Sequence, residues 1–150
     1  MVSVFQHITP GEDTEMAFDK MLPIIVTDRL DATRDFYIDA LGWTLVDKMD
    51  GYLQVRAGGV DTDPELAFLA PQPAQGPLGT RAPFTTGLVI SIPVADADAH
   101  RTMLQQRGVT APAPTDKPWG WRSFLVDDPG GVTLDFWSVI AHDPAQDASS

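Results

Sequence analysis

Three tryptophans, Trp119, Trp121 and Trp137, crowd the last third of the chain, and Asp135 stands two positions before the last of them. An indole offers a wide flat face, few rotatable bonds and one N–H donor, so a cluster of them can stack on an aromatic ligand. A carboxylate beside such a wall can orient the ligand by accepting a hydrogen bond or by pairing with a cation. If these segments are strands, side chains alternate. Trp119, Trp121 and Ser123 then share one side opposite Gly120, Arg122 and Phe124, while Asp135 and Trp137 share a face opposite Leu134 and Phe136. Tryptophans also fill cores, but one held between Pro118 and Gly120 suits a pocket wall better. Arg122 can bind an anion or pair with surface acids, and Asp135 can bind a ligand or bond to a neighbouring strand.

Other chemistries find less support. The chain has no cysteine, which excludes disulfides, cysteine nucleophiles and thiolate metal sites and leaves only His, Asp or Glu for any metal. His7, His100 and His142 fall on an unassigned arm, a helix and a tail, and are read as solvated. Ser123 has no histidine nearby in sequence, so no activated nucleophile stands out. The formal charge of -11 argues against nucleic acid, which needs a basic stripe, and would welcome a cation, although acidity also simply aids solubility. No run approaches the roughly 18 apolar residues of a membrane span, and the N-terminus lacks the features of a signal peptide, so the chain reads as soluble and cytoplasmic.

The elements that carry these residues repeat. Met21 to Thr27 reads as a strand, Asp28 as a helix N-cap, and Leu30, Phe36, Tyr37, Ala40 and Leu41 as one helical face ended by Gly42. Leu88 to Val94, Asp96, the face of Ala99, Met103 and Leu104, and Gly108 repeat that order, roughly 66 to 68 residues later. Three strand candidates follow each helix: Thr44 to Lys48, Tyr52 to Arg56 and Glu65 to Leu69, then Thr110 to Pro114, Arg122 to Val126 and Val132 to Val139. A turn at Asp127-Asp128-Pro129-Gly130-Gly131 joins the last two as a hairpin. The organisation is an N-terminal arm (1–20), a βαβββ module (21–70), a Pro/Gly-rich linker (71–84), a second βαβββ module (85–139) and a polar tail (140–150).

A duplicated βαβββ unit, a Val-x-Asp step into a helix bearing Phe36-Tyr37 and ending Leu41-Gly42, and the closing stretch Asp128-Pro129-Gly130-Gly131-Val132-Thr133-Leu134-Asp135-Phe136 together resemble the vicinal oxygen chelate superfamily. This superfamily includes glyoxalase I, extradiol dioxygenases, fosfomycin resistance enzymes and bleomycin resistance proteins. Pro118-Trp119-Gly120-Trp121-Arg122-Ser123-Phe124 resembles a stretch of the bleomycin-resistance-like members. The resemblance implies an α+β fold in which tandem modules form a cup-shaped mixed sheet, with Asp135 and Trp137 facing the cup. It also implies a metal-ligand His seven residues before each N-cap Asp and a Glu on each last strand. Those positions hold Met21, Val89, Ala67 and Asp135, and one carboxylate cannot hold a divalent ion alone. No metal and no cofactor are therefore expected.

The expected ligand-binding set is Trp119, Trp121, Trp137 and Asp135, with Tyr52 and with Met21 as an adaptable wall where relatives carry a ligand histidine. The expected function is binding and sequestration of a flat aromatic or heterocyclic, cationic small molecule, with antibiotics in that class, by a homodimer without turnover. One alternative is a metal-independent isomerase, cyclase or lyase using Asp135 as general base. Another is a metal enzyme whose site the spacing misplaces.

Overall fold

The computed structural model describes residues 20–72, 82–83 and 85–140, and the chain divides into two compact units, Met1–Phe84 and Thr85–Ser150. The arm, most of the linker and the tail, with His7 and His142, lie outside the described residues.

In the first unit, β1 (Ile24–Val26) leads into α1 (Leu30–Arg34), which widens into a π-helical segment over Asp35–Ala40. Then come β2 (Thr44–Met49), β3 (Tyr52–Arg56) and β4 (Glu65–Leu69), in the sheet order β1-β4-β3-β2, with β1 parallel to β4 and the other pairs antiparallel. Ile25, Phe68 and Leu53 align across three strands, and the fully buried Tyr37 of the helix packs its ring 5.0 Å from that of Phe68.

The second unit repeats the plan. β5 (Val89–Pro93), α2 (Ala97–Gln106), β6 (Thr115–Asp116), β7 (Trp121–Asp127) and β8 (Thr133–Val139) give the order β5-β8-β7-β6, with β5 parallel to β8. Period two is visible in β8: Leu134, Phe136 and Ser138 are buried, whereas Thr133, Asp135 and Trp137 are partly exposed. Phe124, Val126, Leu134 and Phe136 form the core with Leu104 of α2. The fold is α+β, with two four-stranded mixed sheets, each carrying one helix.

Four local expectations need correction. The strand expected from Met21 begins at Ile24, because Pro23 has no N–H to offer a ladder; its carbonyl accepts from the Ala67 N–H at 2.9 Å. Asp28 does not cap α1. Arg29 occupies that position without a side-chain cap bond, and the Thr27 hydroxyl accepts from the Arg29 N–H at 3.1 Å instead. Asp96 does cap α2, accepting from the Ala99 N–H at 3.1 Å. The strand expected at Thr110 to Pro114 is only Thr115–Asp116, since Pro112 and Pro114 each remove a ladder donor. Finally, His100 is not solvated: it is half-buried with its ring 4.7 Å from that of Phe136. Gly42 and Gly108 end their helices as expected, at φ 78° and 87°, where only glycine is at ease.

Candidate functional site

The register of the β7–β8 hairpin decides which of the chemistry-bearing residues meet. Ser123 lies opposite Trp137, Leu125 opposite Asp135 and Trp121 opposite Val139, so Trp121 and Trp137 are diagonal neighbours on one face. Their rings stack with centroids 3.6 Å apart and planes 7° from parallel. Trp119 sits in the turn entering β7. That turn is closed by bonds from Gly120 N–H to the Lys117 carbonyl at 3.1 Å and from Lys117 N–H to the Trp121 carbonyl at 2.7 Å. Trp119 meets Trp121 edge-on at 6.5 Å and is 65% exposed, an aromatic held in water by a fixed turn.

Asp135 shares this face. The Ser91 hydroxyl of β5 donates to its Oδ2 over 3.4 Å, a long and weak bond, whereas Oδ1 is buried with no partner among the described residues. The Nε1–H of Trp137 is also buried and has no partner among the described residues. Buried polar atoms are nearly always hydrogen-bonded, so two orphans one pleat apart set this face apart among the described residues.

The opposite face is occupied differently. Arg122 lies beside α2 and donates to both carboxylate oxygens of Asp98, at 2.7 and 3.1 Å, and to Asp116 at 3.0 Å. Asp98 and Asp116 push the guanidinium pKa up, and Arg122 pulls that of Asp98 down. Arg122 is a surface ion-pair centre rather than an anion receptor. On α2, burial lowers the His100 pKa, which keeps the imidazole neutral against Phe136.

Met21 and Tyr52 belong to the first unit. Met21 precedes β1 and is 84% exposed. Tyr52 opens β3 and donates its hydroxyl to the Gln54 Oε1 at 2.7 Å. Gln54 in turn donates to Oε1 of the buried Glu65 at 2.6 Å, while Arg56 at 3.0 Å and Lys20 at 2.6 Å donate to its Oε2. Burial pushes the Glu65 carboxyl up, and the three donors outweigh it, holding the pKa below its ordinary value. Burial likewise raises the phenol of Tyr52, with Asp47 and Glu65 adding to the shift. Sequence reasoning passed over Glu65. Its signal was an acid opening β4 with Gln54 and Arg56 on the matching face of β3.

The residues do not fit a divalent metal. Ala67 aligns with Ile24 and Asp135 with Ser91, so each parallel strand pair presents at most one carboxylate at the expected place. Among the described residues, no group of three or more His, Asp or Glu gathers. An open groove of about 880 Å³ lies in the first unit, where Arg29, Asp31, Lys48, Met49 and Asp50 mix charges of both signs. None of the residues expected to bind ligand lines it. No helix among the described residues is long and apolar enough to cross a membrane.

Comparison with known proteins gives these features a context. The family model described as Glyoxalase/Bleomycin resistance protein/Dioxygenase superfamily matches residues 6–136. Among solved structures, the antibiotic binding protein TnmS3 from Streptomyces sp. CB03234 is 25% identical, with a TM-score of 0.61, and the match covers 83% of this chain and 99% of that one. The bleomycin resistance determinant encoded on the transposon Tn5 is 21% identical, with a TM-score of 0.60 and 81% and 98% covered. The lactoylglutathione lyase from Agrobacterium tumefaciens is 19% identical, with a TM-score of 0.62 and 83% and 96% covered. No match is found among curated proteins.

Proposed function

We propose that this chain, which belongs to the Glyoxalase/Bleomycin resistance protein/Dioxygenase superfamily, binds and sequesters a flat aromatic or heterocyclic small molecule without metal and without turnover. The observation that carries the reading is the indole wall of Trp119, Trp121 and Trp137 on the face that also bears Asp135. A flat ligand gains most of its affinity by burying apolar area on such a wall, and one carboxylate suffices to orient it. The charge of -11 favours cationic members of the class by drawing them in. The likeness to TnmS3, an antibiotic binding protein, makes antibiotics the first compounds to test.

The proposed assembly is a homodimer. β2 ends the first sheet and exposes Leu45, Val46 and Met49, a combination that invites pairing unless a second copy covers it. Sedimentation should give twice the chain mass of 16.3 kDa; a clean monomer at high micromolar concentration refutes this.

The test of binding is quenching of tryptophan fluorescence across a panel of aromatic antibiotics, with native mass spectrometry for stoichiometry. Trp119→Ala should weaken the best ligand by about 2 kcal/mol, the usual cost of losing an aromatic anchor, and leave the melting point nearly unchanged because the side chain is exposed. If Trp119→Ala unfolds the protein but spares affinity, the pocket is elsewhere. If Asp135→Asn keeps binding and abolishes conversion of the ligand, Asp135 is a general base and the protein an enzyme.

A further inference from the structure

The geometry points to the chemical edge this ligand must present: a planar ring with a hydrogen-bond donor and a hydrogen-bond acceptor on the same side, as in a lactam or ring carboxamide. The inference rests on the indole wall being the binding face and goes beyond it by assigning polar specificity.

The argument starts from the two orphaned atoms. Asp135 Oδ1 can only accept while ionised, and Trp137 Nε1–H can only donate, so together they ask for one donor and one acceptor. Neither has a partner among the described residues. Ser91 reaches only Oδ2, and then at 3.4 Å; Leu125, the β7 residue opposite Asp135, has no polar atom. The two sit at alternate positions of one strand and share a face, so they are the pair that one ligand edge would have to meet.

Stacking and polar readout are then coupled through one residue. The face of the Trp137 ring is taken by Trp121 at 3.6 Å, the spacing a bound flat ring would adopt, while its edge carries the free N–H. A ring that takes the place of Trp121, or slides beside it, keeps the stacking and brings its own edge to the orphaned atoms. A site built around polar partners discriminates strongly against analogues lacking them, because its own groups are then left unpaired. A point cation would satisfy Asp135 and leave Trp137 unpaired, so charge alone is the poorer match.

The experiment compares three probes of nearly equal ring area against the full-length protein, reading tryptophan quenching and calorimetry. These are 2-quinolone, with donor and acceptor; N-methyl-2-quinolone, with the acceptor only; and N-methylquinolinium, with a charge and neither group. 2-Quinolone is expected to bind at least tenfold more tightly than either of the others. Trp137→Phe keeps a ring on the wall and removes the N–H, and Asp135→Val removes the acceptor on a strand-compatible side chain. Each should shrink the advantage of 2-quinolone to about twofold, with circular dichroism confirming the fold. Equal quenching by all three probes overturns the donor–acceptor edge and leaves the aromatic wall standing. Tighter binding of N-methylquinolinium overturns it in favour of charge recognition. No binding by any of the three, alongside an intact fold, overturns the edge and the wall together.

Discussion

The two units place corresponding strands in the same order, yet they treat their carboxylates in opposite ways. In the first, Glu65 is buried and receives hydrogen bonds from Gln54, Arg56 and Lys20. In the second, Asp135 has one oxygen buried with no partner among the described residues and the other within 3.4 Å of a single hydroxyl. The strand pairing places Ala67 where Asp135 stands, so the acid of the first unit has the position that Thr133 holds in the second. One copy of the module has spent its acid on its own cohesion, and the other has left it open. The same backbone thus supports a closed polar network in one unit and an unsatisfied carboxylate oxygen in the other, and side chains alone decide which.

The contrast breaks most visibly in stability. Glu65→Ala leaves Arg56 and Lys20 facing each other without their acid, which should cost about 3 to 5 kcal/mol in urea denaturation. Asp135→Ala removes a charge that lacks a proper partner and should change stability by no more than about 1 kcal/mol. Comparable losses in the two variants would mean that Asp135 is held by the fold and is not available to a ligand.

Acid should separate the units in order. Burial lowers the His100 pKa below its ordinary 6.5, so the unfolded chain takes up a proton first. The stability that the neutral His100 lends the second unit is therefore complete above about 6.5 and is lost as pH falls from there towards the lower folded value. Glu65 is depressed below 4.5, so its contribution is complete above that value and is lost only as pH falls through its folded pKa. Hydrogen exchange resolved along the chain should show β7 and β8 loosening as pH falls below 6.5, before β3 and β4 do. His100→Leu should abolish that early loosening, and if it persists, some other group drives it.

The helix starts give the smallest difference. Asp96→Ala removes a cap bond and should cost about 1 kcal/mol, whereas Asp28→Ala, at a position that caps nothing, should stay within about 0.5 kcal/mol. Equal costs would show that Asp28 supports the first helix by charge rather than by a hydrogen bond.

The repeat, the strands of the hairpin and the sharing of a face by Asp135 and Trp137 were legible because period two and turn chemistry are local properties. The strands Tyr52–Arg56 and Glu65–Leu69 lie at the bounds expected from the sequence. The Glu65 network was not legible, since it joins Lys20 to residues more than thirty positions away and depends on the β3–β4 register. His100 was misread because polarity suggests solvent, whereas the face of α2 that carries it turns towards Phe124 and Phe136. The stacking of Trp121 on Trp137 needed the register too: sequence placed each on a face but could not make them diagonal neighbours.

The π-helical segment at Asp35–Ala40 explains a small irregularity in the duplication. From the cap residue Arg29 to Gly42 is thirteen steps, and from the cap residue Asp96 to Gly108 is twelve, so the first copy holds one residue more between matching landmarks. Wide turns absorb surplus: the Leu41 N–H reaches back five residues to the Phe36 carbonyl at 2.8 Å instead of four. The surplus is stored as girth rather than length, so Tyr37 still reaches Phe68 and the helix still delivers the chain to β2. The widened turn thus seats the residue by which the two helices differ inside the helix itself, and the sheet order that follows it is the same in both units.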